Sequence, residues 1–168
     1  MNTKSTKNAQ DIKKQEKRSA DSRVEHVQIV YQMHINGTGR LFGGMLMEWI
    51  DTVGAVVARR HAGSQVTTAA VDHLTFKAGV PLNSTVVLIG EITYVGRTSM
   101  EVRVDTLVER LDDMRRDLVN RAYIVYVALD ADNNPTEVPR LTLENDRQRA
   151  EFEAGRKRQE LRKAGNQN

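Results

Sequence analysis

The segment Asn36-Gly37-Thr38-Gly39-Arg40-Leu41-Phe42-Gly43-Gly44 leads straight into an apolar run, and Asp51 stands inside that run, seven residues after Gly44. Free backbone N–H groups at a helix start point outward with the positive end of the helix dipole, and glycines let a ligand reach them. Such a terminus can hold a phosphate or the oxyanion of an attacked carbonyl. Neither a Walker pattern nor a βαβ dinucleotide fingerprint is present, which weakens the phosphate reading. Glycine spacing alone is equally explained by a tight turn and close helix-to-sheet packing. Asp51 adds a second signal. Its surroundings, Met47-Glu48-Trp49-Ile50-Asp51-Thr52-Val53, are largely apolar, where an unpaired carboxylate is costly. Either the side chain reaches solvent beside Glu48, at helical spacing, or it acts as general base or nucleophile on an ester-like bond whose carbonyl oxygen rests on the loop amides. The second reading needs no metal. His26, His34, His61 and His73 lack zinc-site spacing and have no cysteine to supplement them, so they read as surface or hydrogen-bonded residues. No Gly-x-Ser-x-Gly elbow supports a serine hydrolase.

The elements that must position these groups follow from periodicity. Residues 26–33 carry Val27, Ile29 and Tyr31 at alternate positions, the spacing of a half-buried strand. Residues 44–61 place Met45, Leu46, Met47, Trp49, Ile50, Val53, Val56 and Val57 around nearly every face of a helix, which must then be surrounded by protein. Residues 65–76, 84–94, 98–111 and 118–129 read as strands separated by turn-forming residues. In the third of these, Met100, Val102, Val104, Thr106 and Val108 alternate with Glu101, Arg103, Asp105, Leu107 and Glu109, which predicts one buried and one wet face. A strand, a long buried helix and four more strands make an α+β pattern in which an antiparallel sheet wraps one helix. The sheet edges and outer face then call for cover, and a partner subunit is the simplest one.

The 168 residues, 39% of them hydrophobic, suffice for one domain with tails. Lys and Arg number 25 against 22 Asp and Glu, and the two signs alternate, so no basic face for nucleic acid is indicated. The absence of cysteine excludes disulfides, thiolate nucleophiles and Cys-ligated metals. Residues 1–24 contain no apolar run to serve as signal peptide or membrane span and read as a flexible or loosely helical tail. Residues 145–168 are charged and rich in helix formers, with Phe152 and Leu161 as the main apolar anchors. They read as a solubilising helix that docks weakly or frays, which bounds the domain at residues 25–144. A cytoplasmic location follows from this reading.

In series, Asn36, Gly39, Phe42-Gly43-Gly44, Leu46 and Trp49-Ile50-Asp51 resemble the hotdog-fold acyl-CoA thioesterases. Val66-Thr67-Thr68, Val71-Asp72, Phe76, the run Val95 to Val102, the run Tyr123 to Asp130 and Val138-Pro139 agree in order, so the resemblance covers residues 25–145. The combination is specific, although no single piece is. The resemblance implies a hotdog fold, a long central helix wrapped by a curled antiparallel sheet of five strands. It also implies side-by-side dimers and commonly a trimer of those dimers. The active site would lie at the dimer interface. There Asp51 of one subunit would be base or nucleophile, with the Gly43 N–H as oxyanion donor and Asn36 as positioning group from the other. Phe42 and Gly44 would flank the substrate beside that amide. The turn Gly96-Arg97-Thr98-Ser99 would lie near the coenzyme A moiety, with Arg97 offering charge to its phosphates and Thr98 and Ser99 hydroxyl and backbone donors. Coenzyme A is then part of substrate and product, and neither a separate cofactor nor a metal is expected. Two positions depart from the pattern: Phe42 stands where many relatives have His, and Ala70 where some have a water-positioning Ser. Thr68, two residues earlier and on the same strand face by alternation, is the candidate substitute.

The leading expectation is hydrolysis of an acyl-CoA to free acid and CoA. The alternative is a non-catalytic acyl-CoA sensor, although residues 1–24 lack the length and pattern of a helix-turn-helix. A dehydratase is the weaker third choice, since no Asp and His share a short motif of the required kind. Self-association and an acyl-CoA are the expected partnerships, with neither nucleic acid nor membrane involved.

Overall fold

The computed structural model describes residues 16–165. In chain order these form β1 (Glu16–Arg18), the short helix α1 (Ser19–Ser22), β2 (Val24–Ile29), a 3-10 turn at Gln32–His34, α2 (Gly43–Ala62), β3 (Gln65–Phe76), β4 (Thr85–Val95), β5 (Ser99–Glu109), β6 (Arg116–Leu129), β7 (Arg140–Thr142) and α3 (Asp146–Gly165). Five strands make one antiparallel sheet in the order β2-β4-β5-β6-β3. Helix α2 packs on its inner face, where Leu46, Ile50, Val53 and Val57 join Leu88, Val102, Val104 and Ile124 in one core. The expected α+β arrangement, a long central helix against five antiparallel strands, is the observed one. Gly63 ends α2 in the left-handed region (φ 70°), with its N–H on the Arg59 carbonyl. Among the described residues no helix is long and apolar enough to cross a membrane.

The strand expected over residues 26–33 stops at Ile29. The Nδ1 of His34 accepts the Tyr31 N–H at 3.1 Å and the Tyr31 carbonyl accepts the His34 N–H at 2.9 Å, so local bonds take the groups a ladder would need.

The outer face of β5 is not wet. Glu101 and Arg103 are 1% and 4% exposed because α3 lies across the sheet. Glu101 accepts Arg158 through Nε at 2.9 Å and Nη2 at 2.8 Å, and the Thr93 hydroxyl at 2.7 Å. Arg103 pairs with Glu91 and with Glu151 of α3, each at 2.9 Å. Arg147 at one end of α3 meets Glu91 on β4, and Arg162 near the other end meets Asp72 on β3. Phe152 packs on Tyr94 with ring centroids 4.8 Å apart, whereas Leu161 stays 73% exposed. Weak docking or fraying of this helix is therefore corrected. Charges that look solvent-bound on each element separately bury one another when the elements meet.

The N-terminal segment is also structured where it is described. Strand β1 pairs in parallel with β7, Ser19 and Ser22 are buried, and the Lys17 ammonium donates to the Arg60 and His61 carbonyls at the end of α2. The flexible or loosely helical tail expected over residues 1–24 thus gives way to ordered structure from Glu16. Its earlier part, residues 1–15, lies outside the described residues, as do 166–168.

Candidate active site

Asp51 lies midway along α2, and two strands supply hydroxyls to one of its oxygens. Thr68 of β3 donates through Oγ1 to Asp51 Oδ1 at 2.9 Å, and the Tyr126 hydroxyl of β6 lies 3.0 Å from Oδ1 and 3.0 Å from the Asp51 backbone carbonyl. The pairing of β3 with β6 sets this up, because Thr68 is directly opposite Tyr126 and opposed residues share a face. A bulge follows: Ala70 sits opposite Val125, the neighbour of Tyr126 and therefore on the other face. Thr68 and Ala70 consequently do not share a face as simple alternation predicts. The extra residue of the bulge turns Ala70 away and leaves Thr68 on the carboxylate.

Tyr126 is fully buried. Its hydroxyl occupies the space of a missing side chain, since a Cβ at Gly54, three residues after Asp51 on α2, would lie 2.3 Å from it. Burial, reinforced by the Asp51 charge, pushes the phenol pKa far up, so Tyr126 keeps its proton and acts as a donor. In the sequence Tyr126 stands out only as part of a matching strand. The further signal is a phenol at an inward position of β6 facing a glycine on the helix.

The glycine-rich loop is held by Asn36. Its Oδ1 accepts the Thr38 N–H at 3.0 Å, the Thr38 hydroxyl at 2.8 Å and the Arg40 N–H at 3.2 Å, while its backbone N–H donates to the Arg40 carbonyl. Gly39 closes the turn at φ 72°. The Nδ2 donors of Asn36 have no partner among the described residues. Asn36 and Gly43 line an open cleft of about 350 Å³ together with Leu46, Phe76 and Val80. At the helix start the Phe42 N–H is taken by the His34 carbonyl, no side chain caps the terminus, and the first helical bond runs from the Leu46 N–H to the Phe42 carbonyl. The Gly43 and Gly44 N–H groups therefore have no partner among the described residues, and they are free donors at the positive dipole end. Phe42 is 56% exposed and folds back over Gly44, where a Cβ would meet its ring at 2.6 Å.

The structure unites Asp51 with Thr68, and Asn36 with Gly43, but not the two pairs with each other. Gly43 and Asp51 are eight residues apart on one helix, roughly 12 Å of rise. The turn at Gly96–Ser99 forms a third location. The Gly96 N–H donates to the Ser99 carbonyl at 2.8 Å, the Thr98 carbonyl accepts the Ala128 N–H, and the Ser99 hydroxyl accepts the Gln159 amide of α3 at 3.4 Å. Gly96 and exposed Arg97 border a separate cleft of about 920 Å³ with Glu16, Arg140 and Phe152. His61 is buried with Nε2 3.0 Å from the Pro139 carbonyl, and burial pushes its pKa down, so it is a neutral structural residue. His34 sets its ring edge-on to Trp49.

Residues 38–111 match the family model described as the thioesterase superfamily. A Bacillus subtilis protein named uncharacterized acyl-CoA thioester hydrolase YkhA is 33% identical over 126 residues, 75% of this chain and 73% of that protein. The acyl-CoA hydrolase of Staphylococcus aureus, solved with butyryl coenzyme A, coenzyme A and coenzyme A disulfide, superposes with a TM-score of 0.85 at 31% identity, over 89% of this chain and 92% of that one. An apo-hexameric acyl-CoA thioesterase gives a TM-score of 0.86 at 31% identity, over 91% and 98% of the two chains. On the identity to the Bacillus subtilis protein over most of both chains and the overall superposition on solved acyl-CoA hydrolases, the chain belongs to the acyl-CoA thioester hydrolase family of the hotdog-fold thioesterase superfamily.

Proposed function

We propose that the protein hydrolyses acyl-CoA thioesters to a carboxylic acid and CoA at a site assembled from two copies, with Asp51 from one and Asn36 and the Gly43 N–H from the other. The observation that carries this reading is the division of the machinery. A carboxylate anchored by Thr68 and Tyr126 lies two helical turns from the free amides that an oxyanion needs. Each half is incomplete alone, and a second copy supplies the complement. The thioester carbonyl oxygen rests on the Gly43 N–H, where negative charge develops at the dipole end, and the unpaired Asn36 amide positions the substrate or water. As general base, Asp51 takes a proton from water while the water oxygen bonds to the carbonyl carbon; the C–S bond breaks and the proton passes to the departing thiolate. As nucleophile, Asp51 forms that C–O bond itself while the C–S bond breaks and CoA leaves as its thiolate; water then hydrolyses the acyl-aspartate anhydride, its oxygen going to the acid and one of its protons to the thiolate, and the Asp51 carboxylate is regenerated.

The Staphylococcus aureus relative supports the assignment. It was solved with an asparagine, an aspartate and a threonine separately replaced by alanine, and those residues stand fifteen and seventeen positions apart, the separations of Asn36, Asp51 and Thr68 here. Its complexes with butyryl coenzyme A and coenzyme A support an acyl-CoA as substrate, with CoA entering as part of it rather than as a cofactor. Phe42 and Gly44 then flank the reacting end, and Gly96, Arg97, Thr98 and Ser99 meet the CoA moiety, Arg97 having no ion-pair partner among the described residues. The hexameric relative supports self-association, which we read as dimers joined through the open β3 edge and grouped in threes. A rat relative named cytosolic acyl coenzyme A thioester hydrolase, 30% identical over 71% of this chain, supports a cytoplasmic location.

Released CoA thiol, followed over short, long and aryl acyl-CoAs, tests the reading. Asp51→Ala should lower kcat at least about 100-fold while the oligomer stays folded. Mixing Asp51→Ala and Asn36→Ala chains by refolding should restore about a quarter of wild-type activity, since half the randomly formed dimers are hybrids and each hybrid has one intact site. Near-normal turnover in Asp51→Ala overturns the role of the carboxylate. Two inactive parents that give an inactive mixture overturn the shared site.

A further inference from the structure

We propose that Tyr126 is a positioning residue of this hydrolysis: together with Thr68 it anchors Oδ1 of Asp51 and thereby presents Oδ2 as the reactive oxygen. The inference rests on the reading of Asp51 as the reacting carboxylate. Two hydroxyls converge on Oδ1, at 2.9 and 3.0 Å, whereas Oδ2 has no partner among the described residues. A carboxylate oxygen has two lone pairs in its plane, so two donors occupy Oδ1 and fix the rotation of the group. The free oxygen is then the one able to meet water or an acyl carbon, already held in one orientation, which is the usual source of a positional rate advantage.

Three features show that the phenol is placed rather than incidental. The ring is fully buried, so water does not compete for the bond. Gly54 leaves on α2 the space that the hydroxyl fills, since a Cβ there would stand 2.3 Å from that oxygen and 3.0 Å from the ring carbon bearing it. The hydroxyl also lies 3.0 Å from the Asp51 main-chain carbonyl, so its single proton is shared between that oxygen and Oδ1, and the residue that aims the carboxylate also registers its helix turn against β6. The phenol keeps its proton because burial and the neighbouring carboxylate both oppose ionisation. A phenylalanine would keep the ring in place but leave the space beside Gly54 empty and both Asp51 oxygens without this donor.

Tyr126→Phe removes the donor and keeps the ring. Its kcat with a short acyl-CoA should fall about tenfold with KM close to wild type, the loss of one hydrogen bond to a charged group. Thr68→Val and the double variant complete a cycle. Because both donors serve one oxygen, the two losses should not multiply. Gly54→Ala, which displaces the hydroxyl without deleting it, should reproduce the kcat loss. A purely structural role would lower the melting temperature and leave kcat intact; that result, or losses that multiply, overturns the proposal while Asp51→Ala remains inactive. Turnover surviving in Asp51→Ala would instead overturn the reading on which it rests.

Discussion

Replacing Arg158 with methionine tests whether α3 is part of the folded domain. Glu101 is 1% exposed, and Arg158 holds both of its oxygens, at 2.9 and 2.8 Å, while its guanidinium carbon stands 3.9 Å from the Tyr123 ring centroid. Removing one member of a buried ion pair costs about 3–5 kcal/mol, because the other charge is left without its partner. Two groups soften the loss here: the Thr93 hydroxyl keeps its 2.7 Å bond to Glu101, and Arg162 lies 3.7 Å from the other oxygen. The Arg158 side chain is itself 25% exposed, which moderates the pair further. The expected loss is therefore about 2–3 kcal/mol, or roughly 5–10 °C in melting temperature for a chain of this size. Urea unfolding followed by far-UV circular dichroism, at one fixed subunit concentration because assembly contributes to stability, measures it. The double variant Arg158→Met with Glu101→Leu removes the stranded charge as well and should recover most of the loss. A loss below about 0.5 kcal/mol in the single variant would mean that the pair behaves as an ordinary surface contact and would refute the reasoning.

Gly43→Pro isolates the proposed oxyanion donor. Proline suits the first helical position, Phe42 already has the extended backbone (φ −66°, ψ 129°) that precedes proline, and a Cβ at Gly43 meets only the Phe76 ring at 3.6 Å. Folding should persist while kcat falls about 100- to 1,000-fold, and an unchanged kcat would move the donor elsewhere. His61 should make stability pH-dependent. Burial holds its folded pKa below the unfolded value near 6.5, so below that pH the unfolded chain binds a proton that the native state does not. Stability should then decline as pH falls from about 6.5, by at most about 1.4 kcal/mol per unit from this group, and level off below the folded pKa. Urea midpoints of wild type and His61→Gln across pH 5 to 8 check this, and an identical slope in the variant would exclude His61 as its source.

Local pattern was enough for the backbone of this fold and for half of its candidate chemistry. Helix α2 was expected over residues 44–61 and runs from Gly43 to Ala62, because apolar side chains on nearly every face demand burial and glycines mark both ends. Asp51 and the free amides of the glycine-rich helix start are legible in the same way, since a carboxylate in an apolar run and a glycine-rich start are each visible within a few residues, whereas the choice of Gly43 among those amides comes from the family resemblance. Tyr126 is not legible, since on a strand it reads as one more large side chain, and what makes it chemical is Asp51, 75 positions away. The bulge that separates Thr68 from Ala70 depends on how β3 registers with β6, which alternation within one strand cannot reveal. The charges of β5 and α3 looked solvated for a related reason. Whether Glu101 is wet depends on an arginine 57 residues later arriving with the complementary charge. Amphipathic period is a property of one segment, whereas the satisfaction of a buried polar group is a property of two, and only the tertiary structure brings the two together.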